Sequence, residues 1–124
     1  RYITRKVRLK PEVKSYDCID YDPIDTYKFD DPDDVDFWIN FTIGPVDFDG
    51  GDNFQVRVAT FSNIGRNESP RHCILIDKFS FSQVISKVSE FLSKCEGRDW
   101  EEVSIKLSEF MCWEFQDYKP YREE

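Results

Sequence analysis

Residues 79–118 read FSFSQVISKVSEFLSKCEGRDWEEVSIKLSEFMCWEFQDY, and the rest of the chain is organised around this stretch. Its first half carries apolar side chains three or four residues apart, which places them on one side of a helix of about four turns. The residues of this stripe are Phe81, Val84, Ile85, Val88, Phe91, Leu92 and Cys95. The spacing therefore predicts a helix over 81–95 with one buried face.

The ends of this helix carry recognisable signals. Ser80 and Gln83 match a capping box, and Phe79 and Val84 occupy the two positions of a hydrophobic staple. Gly97 follows the last apolar residue, where a helix commonly ends in a left-handed conformation. We therefore expect the helix to begin after Ser80 and to stop before Gly97.

A second helix pattern follows after a few residues. Asp99 and Glu102 repeat the capping spacing. The predicted inner face consists of Trp100, Val103, Leu107 and Phe110. The short connection predicts that the two helices lie side by side. After them, the segment Cys112–Tyr118 alternates apolar and polar residues, which is typical of an extended strand, and Trp113 and Phe115 are expected to pack against both helices.

The first half of the chain predicts strands. Residues 5–18 resemble an edge strand interrupted at Pro11, residues 37–43 and 53–61 form a predicted hairpin, and residues 72–79 form a more buried strand. The fold class is therefore α+β: an antiparallel sheet of about four to five strands, followed by two packed helices and a short C-terminal extended segment. The 124 residues are expected to form a single domain over 1–124.

The negative charge is concentrated in the middle of the chain. The net charge is −8, yet residues 15–61 hold twelve aspartates against one lysine and one arginine, a sum of −10. Aspartate favours turns over helices, so these carboxylates are expected on loops, above all in the long predicted loop 19–36. Phosphate recognition needs the opposite sign, which argues against nucleic acid as a partner. A membrane partner is also not expected, because no apolar run approaches the length of a membrane span.

The four cysteines, Cys18, Cys73, Cys95 and Cys112, form no CxxC pair and no metal-ligand spacing with histidine. We interpret them as free thiols in a reducing cytoplasm, although one or two disulfides remain compatible with the sequence.

No pattern indicates an enzyme or a cofactor. The segment DFDGGDN suggests a calcium loop, but counting from Asp47 puts Gly51, Asp52 and Val58 at positions where an EF-hand needs other residues. His72 is the only histidine, and its neighbour Cys73 would point to the opposite side of a strand, so the two cannot form a nucleophilic pair. We expect no catalytic, cofactor-binding or metal-binding residues.

The C-terminal segment resembles the signature of the immunity protein 8 family of bacterial polymorphic toxin systems. The residues that match are Trp100, Lys106, Leu107, Trp113, Glu114, Phe115, Asp117 and Tyr118. Upstream, FWINFTIGP and GGDNFQVRVATF are similar to the central hairpin of that family. The family often has Gly-His before the tail tryptophan, where this chain has Met111 and Cys112, a difference at a packing position.

The resemblance implies a cytoplasmic antidote that binds and blocks a cognate toxin domain, often the C-terminal part of a contact-dependent growth inhibition effector. It implies no catalysis, and we expect a monomer that forms a 1:1 complex. Many such toxins are nucleases with basic nucleic-acid sites, and a negative partner suits such a site.

The acidic loops and their aromatic residues are the predicted toxin-binding residues. They are Asp20, Tyr21, Asp22, Asp25, Tyr27, Phe29, Asp30, Asp31, Asp33, Asp34, Asp47, Phe48, Asp49 and Asp52. Other interpretations stay open at this point. The loops could be solvated only, the partner could be another basic protein without a toxin, or a hydrolase site could be hidden among the acids. The contact could also lie on the sheet face around Trp38 and Arg57 or on the helical layer.

Overall fold

The computed structural model describes residues 8–64 and 70–115. Within these ranges the chain forms a five-stranded sheet and helices, an α+β fold as predicted. The elements are β1 Pro11–Asp17, β2 Asp36–Pro45, β3 Asp52–Thr60, α1 Phe61–Ile64, β4 Cys73–Ile76, α2 Phe81–Ser93, α3 Trp100–Leu107 and β5 Cys112–Trp113. The predicted strand positions 5–7 and tail positions 116–118 lie outside the described residues.

The sheet is mostly antiparallel, with one parallel pair. Strands β1, β2 and β3 are antiparallel neighbours, and β1 lies at the edge with Pro11 as its first residue. The other side of β3 is shared: β5 pairs antiparallel with its beginning, and β4 pairs parallel with its end, starting at Cys73 opposite Arg57. The parallel pair departs from the expected antiparallel sheet, because β4 runs in the same direction as β3, with Cys73 opposite Arg57 and Ile76 opposite Thr60.

Alternation along the strands separates the two faces of the sheet. On β2, Phe37, Ile39, Phe41 and Ile43 are buried, and Phe54, Val56 and Val58 on β3 are buried with them. The helices cover this inner face through their own buried residues, Val84, Val88, Val103 and Leu107. Burying each side chain of this kind stabilises the fold by about 1.5–3 kcal/mol before entropy is subtracted, so this face supplies the core.

The caps of α2 and α3 follow local sequence. Ser80 Oγ accepts a hydrogen bond from the Gln83 amide at 3.4 Å, as predicted. Asp99 Oδ1 accepts from the Glu102 amide at 2.8 Å. The Glu102 carboxylate in turn accepts from the amide of Arg98 at 2.6 Å, one residue before the cap. Each cap satisfies backbone donors that have no partner within the helix.

The predicted left-handed stop at Gly97 is wrong. In the described residues the glycine with a positive φ is Gly50, at 85°, and helix α2 ends earlier, at Ser93. Gly97 instead exchanges two backbone hydrogen bonds with Leu9, at 2.7 and 3.1 Å. A Cβ at Gly97 would lie 3.0 Å from the Glu102 side chain, so the glycine allows a close approach of chain segments.

The tail forms the predicted extended strand, but its two aromatic residues differ in their packing. Trp113 stacks on Phe54 of β3 with ring centroids 6.3 Å apart and packs against the core. Phe115 is 40% exposed and touches the edge of Trp113. Because β5 ends at Trp113, the chain turns and Phe115 leaves the core.

Phe110, predicted on the inner face of the second helix, lies beyond the end of α3. Its ring stacks on that of Phe91 in α2, with ring centroids 4.7 Å apart.

Candidate protein-binding surface

The long acidic loop lies at one end of the sheet. Strand β1 ends at Asp17 beside Asn40, and β2 begins at Asp36, so residues 18–35 leave and return at the same end. Seven carboxylate residues of this loop are exposed, and we call them the acidic surface: Asp20, Asp22, Asp25, Asp30, Asp31, Asp33 and Asp34. The predicted loop is thus present, and its acids face solvent.

The aromatic residues of this loop attach it to the body of the protein. Tyr21, Tyr27 and Phe29 contact one another with ring centroids 4.7–4.9 Å apart. Phe29 also lies 5.3 Å from Phe37 and 4.8 Å from Phe79. Tyr21 and Phe29 are therefore partly buried against the core, while Tyr27 stays 39% exposed. The contacts of Tyr21 and Phe29 with the core anchor the loop to the body of the protein.

Hydrogen bonds fix the second half of the loop. The Asp34 carboxylate accepts from Asn63 Nδ2 at 2.7 Å, and Asp31 Oδ1 accepts from the Asp33 amide at 3.2 Å. The backbone carbonyl of Pro32 accepts from the Phe79 amide at 2.8 Å. The acidic surface is thus held in place by neighbouring structure.

Charge is dense in this region. Residues 17–36 contain nine aspartates and one lysine, a sum of −8. Asp36 is ion-paired, because Arg57 donates two hydrogen bonds to it at 2.7 and 2.6 Å. Hydrogen bonding from Arg57 holds the pKa of Asp36 below its ordinary value of 3.8. Such a field attracts a cationic partner and repels nucleic acid.

The second predicted acidic segment lies at the other end of the sheet. Asp47, Phe48 and Asp49 belong to the loop that follows β2, and this ten-residue strand separates them from the acidic surface by about 30 Å. Lys14 donates to the Phe48 carbonyl at 2.7 Å and forms an ion pair with Glu12. The structure therefore does not bring the two predicted acidic segments together.

Asp52 has a structural contact that sequence reasoning missed. Its Oδ2 atom accepts the indole N–H groups of Trp100 at 3.0 Å and Trp113 at 3.1 Å. The two tryptophans lie 48 and 61 residues further along the chain, so no local spacing could have shown this contact.

The model of the family described as Immunity protein 8 matches residues 11–118. The chain belongs to the immunity protein 8 family. The predicted resemblance is thereby confirmed, and membership implies an immunity protein directed against a toxin. Neither the comparison with curated proteins nor that with solved structures finds a match.

The described part of this immunity protein shows no grouping for metal chemistry. Over residues 8–64 and 70–115, no three His, Cys, Asp or Glu side chains are placed to hold a metal ion. His72 Nε2 lies 2.7 Å from the Ser108 carbonyl oxygen, a contact that links β4 to the end of α3. None of the helices in these ranges is long and apolar enough to span a membrane.

A groove lies between β1 and α2 of the immunity protein. Its volume is about 780 Å³, and Val13, Phe81, Ile85 and Leu92 give it an apolar lining. Tyr16 lies along it and is 37% exposed. The groove offers a second surface against which binding experiments can be compared.

Proposed function

We propose that this protein binds a cognate bacterial toxin domain directly and neutralises it, with the acidic surface facing the toxin. The observation that carries the proposal is the combination of family membership with a loop whose seven exposed carboxylates are held in place at one end of the sheet. A loop attached by Tyr21 and Phe29 presents its charges in a defined arrangement. Binding then requires little ordering of the loop, which favours affinity.

The sign of the charge supports a basic toxin, and a nuclease delivered by contact-dependent growth inhibition fits this description. A nuclease is positively charged where it holds nucleic acid, so the seven exposed carboxylates of the acidic surface can cover that site and exclude the substrate. Opposite charges also accelerate the encounter, to about 10⁸–10⁹ M⁻¹s⁻¹ at low salt in favourable cases. Fast capture suits an antidote that meets a toxin entering the cytoplasm.

The aromatic residues have separate parts in this proposal. Tyr27 is 39% exposed beside the acidic surface and can contribute apolar contact there. Phe48 is 58% exposed but lies at the far end of the sheet. Asp47, Phe48 and Asp49 therefore join the interface only if the toxin spans the length of β2. No reaction or cofactor is needed, because occlusion of the toxin is sufficient in a 1:1 complex.

The decisive experiment uses the toxin domain encoded immediately upstream, purified with its active site inactivated. Calorimetric titration should show one toxin domain per immunity protein, and cells that express the immunity protein should survive the active toxin. Affinity should fall steeply between 50 and 500 mM salt, because screening weakens contacts between exposed charges. Absence of binding and of protection would refute the proposal, and recovery of a different basic protein by co-purification would favour a binding module without a toxin.

A further inference from the structure

The outer face of the sheet carries an exposed tryptophan within a polar surface. On β2 the residues that alternate with the core are Asp36, Trp38, Asn40 and Thr42, and Trp38 is 45% exposed. The helices cover the inner face, so in the described residues this face is left without a helical layer. Ile19, which is 91% exposed, directly follows Cys18, whose Sγ atom lies 3.4 Å from the Trp38 carbonyl oxygen. Trp38 is thus a large exposed apolar side chain on an otherwise polar face.

The polar side chains around Trp38 hold one another in fixed positions. Asn40 Nδ2 donates to Asp17 at 3.1 Å, and Thr42 donates to the Asn53 side chain at 3.1 Å. The register sets Arg57 opposite Trp38, and Arg57 is in turn bound by Asp36. A surface that is ordered before binding loses less conformational entropy when a partner arrives.

The charge of this face indicates the kind of partner. Arg57 is the one Lys or Arg residue within strands β2, β3, β4 and β5, and Asp36 neutralises it. Asp17 lies on the same face, and the acidic surface begins three residues later, at Asp20. A cationic protein surface therefore meets attraction from both regions, and an arginine of that surface can stack on the indole of Trp38.

We propose that the outer sheet face around Trp38 is the apolar centre of the toxin interface and that the acidic surface is its charged rim. This inference rests on the proposed function and specifies where the toxin is seated. Aromatic centres surrounded by polar rims are the usual arrangement of protein interfaces, and tryptophan is among the residues most enriched at energetic hot spots. The occupant is a basic toxin domain in contact with both regions at once.

The first test compares Trp38→Ala with Ile105→Ala, a control on α3 whose side chain is 54% exposed. The probe is the inactivated toxin domain encoded upstream. Trp38→Ala should weaken binding about 30-fold or more, the size of a hot spot, and the loss should appear mainly in the dissociation rate. Ile105→Ala should stay within threefold of the unmodified protein.

A second pair of variants keeps the test valid if Trp38→Ala unfolds. Gln55 is exposed on the same outer face, and Gln55→Arg adds a charge that repels a basic toxin. Ser89→Arg places the same charge in the groove between β1 and α2. Gln55→Arg should lower affinity at least tenfold, and Ser89→Arg should not.

The outcomes separate this inference from the proposed function. If the unmodified protein binds the toxin and neither Trp38→Ala nor Gln55→Arg changes the affinity by more than threefold, the outer face is not the seat of the toxin. If Ser89→Arg alone abolishes binding, the groove is the seat instead. If the unmodified protein does not bind at all, the proposed function fails and this inference fails with it.

Discussion

Trp100 and Trp113 donate their indole N–H groups to the same atom, Oδ2 of Asp52, at 3.0 and 3.1 Å. Trp100 is the first residue of α3, Trp113 is the last residue of β5, and Asp52 is the first residue of β3. One carboxylate oxygen therefore connects a helix, the terminal strand and a central strand. Hydrogen bonds to a charged acceptor are stronger than those between neutral groups, so this contact is expected to matter for stability.

Asp52→Ala should lower the free energy of unfolding by about 2 kcal/mol, because it leaves two partly buried indole donors without their acceptor. Urea unfolding monitored by tryptophan fluorescence and by circular dichroism measures this loss. Asp49→Ala is the matched control, since Asp49 is exposed in the adjacent loop and should change stability by less than about 0.5 kcal/mol. Equal effects of the two substitutions would contradict a structural role for Asp52.

The two aromatic residues of the tail, Trp113 and Phe115, should contribute very differently to the free energy of unfolding. Trp113→Ala removes a ring stacked on Phe54 and should cost about 3 kcal/mol, at the lower end for large aromatic truncations. Phe115→Ala should cost less than about 1 kcal/mol, because Phe115 is 40% exposed. Chemical denaturation of both variants tests the difference. A loss below about 1 kcal/mol for Trp113→Ala would mean that the terminal strand is peripheral.

Neutralising part of the acidic surface should slow capture of the toxin. A variant with Asn at positions 30, 31, 33 and 34 should keep its fold, because asparagine retains the Oδ1 acceptor used by the Asp33 amide and by Asn63. Its association rate should fall about tenfold at low salt, and the salt dependence should flatten. Stopped-flow kinetics and a protection assay in cells provide the two measurements.

The control changes the net charge by the same four units elsewhere. It carries glutamine in place of Glu90 and Glu101 and lysine in place of Glu109, three exposed acids outside both predicted acidic segments. This variant should associate within about twofold of the unmodified rate if position, rather than total charge, governs the encounter. Unchanged kinetics and protection for the Asp30–Asp34 variant would place the contact elsewhere.

The pair of Asp36 and Arg57 should contribute to stability in a pH-dependent way. The folded pKa of Asp36 is lowered from 3.8, first by the hydrogen bond from Arg57. The contribution is therefore complete above the ordinary pKa and is lost as pH falls through that value toward the folded pKa. Asp36→Asn should cost up to about 1 kcal/mol at pH 7, and the difference from the unmodified protein should vanish near pH 2. Thermal unfolding across this range measures it, and a difference independent of pH would point to packing instead.

The four thiols should react in two classes. Cys18 and Cys95 are buried, and burial raises the pKa of Cys95 to about 11, so both should resist alkylation in the native protein. Cys112 and Cys73 are partly exposed and should react first, with Cys73 the slower because burial raises its pKa. Mass spectrometry should find four modified sites under denaturing, non-reducing conditions. Two or none would show disulfides and contradict a reducing compartment.

The features that depend on residues near one another in the sequence were the ones that could be predicted best. The caps at Ser80 and Asp99 were predictable because each side chain meets a backbone amide three residues away. Alternation along β2 and β3 likewise distinguished core from surface. These signals act within one element, so no knowledge of the remaining fold was needed.

Contacts between distant segments were not predictable in the same way. The acceptor role of Asp52, the pairing of Gly97 with Leu9 and the parallel placement of β4 all depend on how separate elements meet. The two acidic segments were treated as one surface, although the ten-residue strand between them places them at opposite ends of the sheet. Charge along a sequence does not show where in space the charges collect.

Strands β4 and β5 pair with the same side of β3, and this arrangement has a consequence for synthesis on the ribosome. The first half of β3, around Phe54, obtains its second neighbour from β5, near the end of the chain. Until those residues emerge, a nascent chain exposes an unpaired strand edge next to apolar surface, a combination that favours aggregation. Cotranslational folding therefore cannot complete this sheet until Cys112 and Trp113 have left the ribosome, long after β3 itself has emerged.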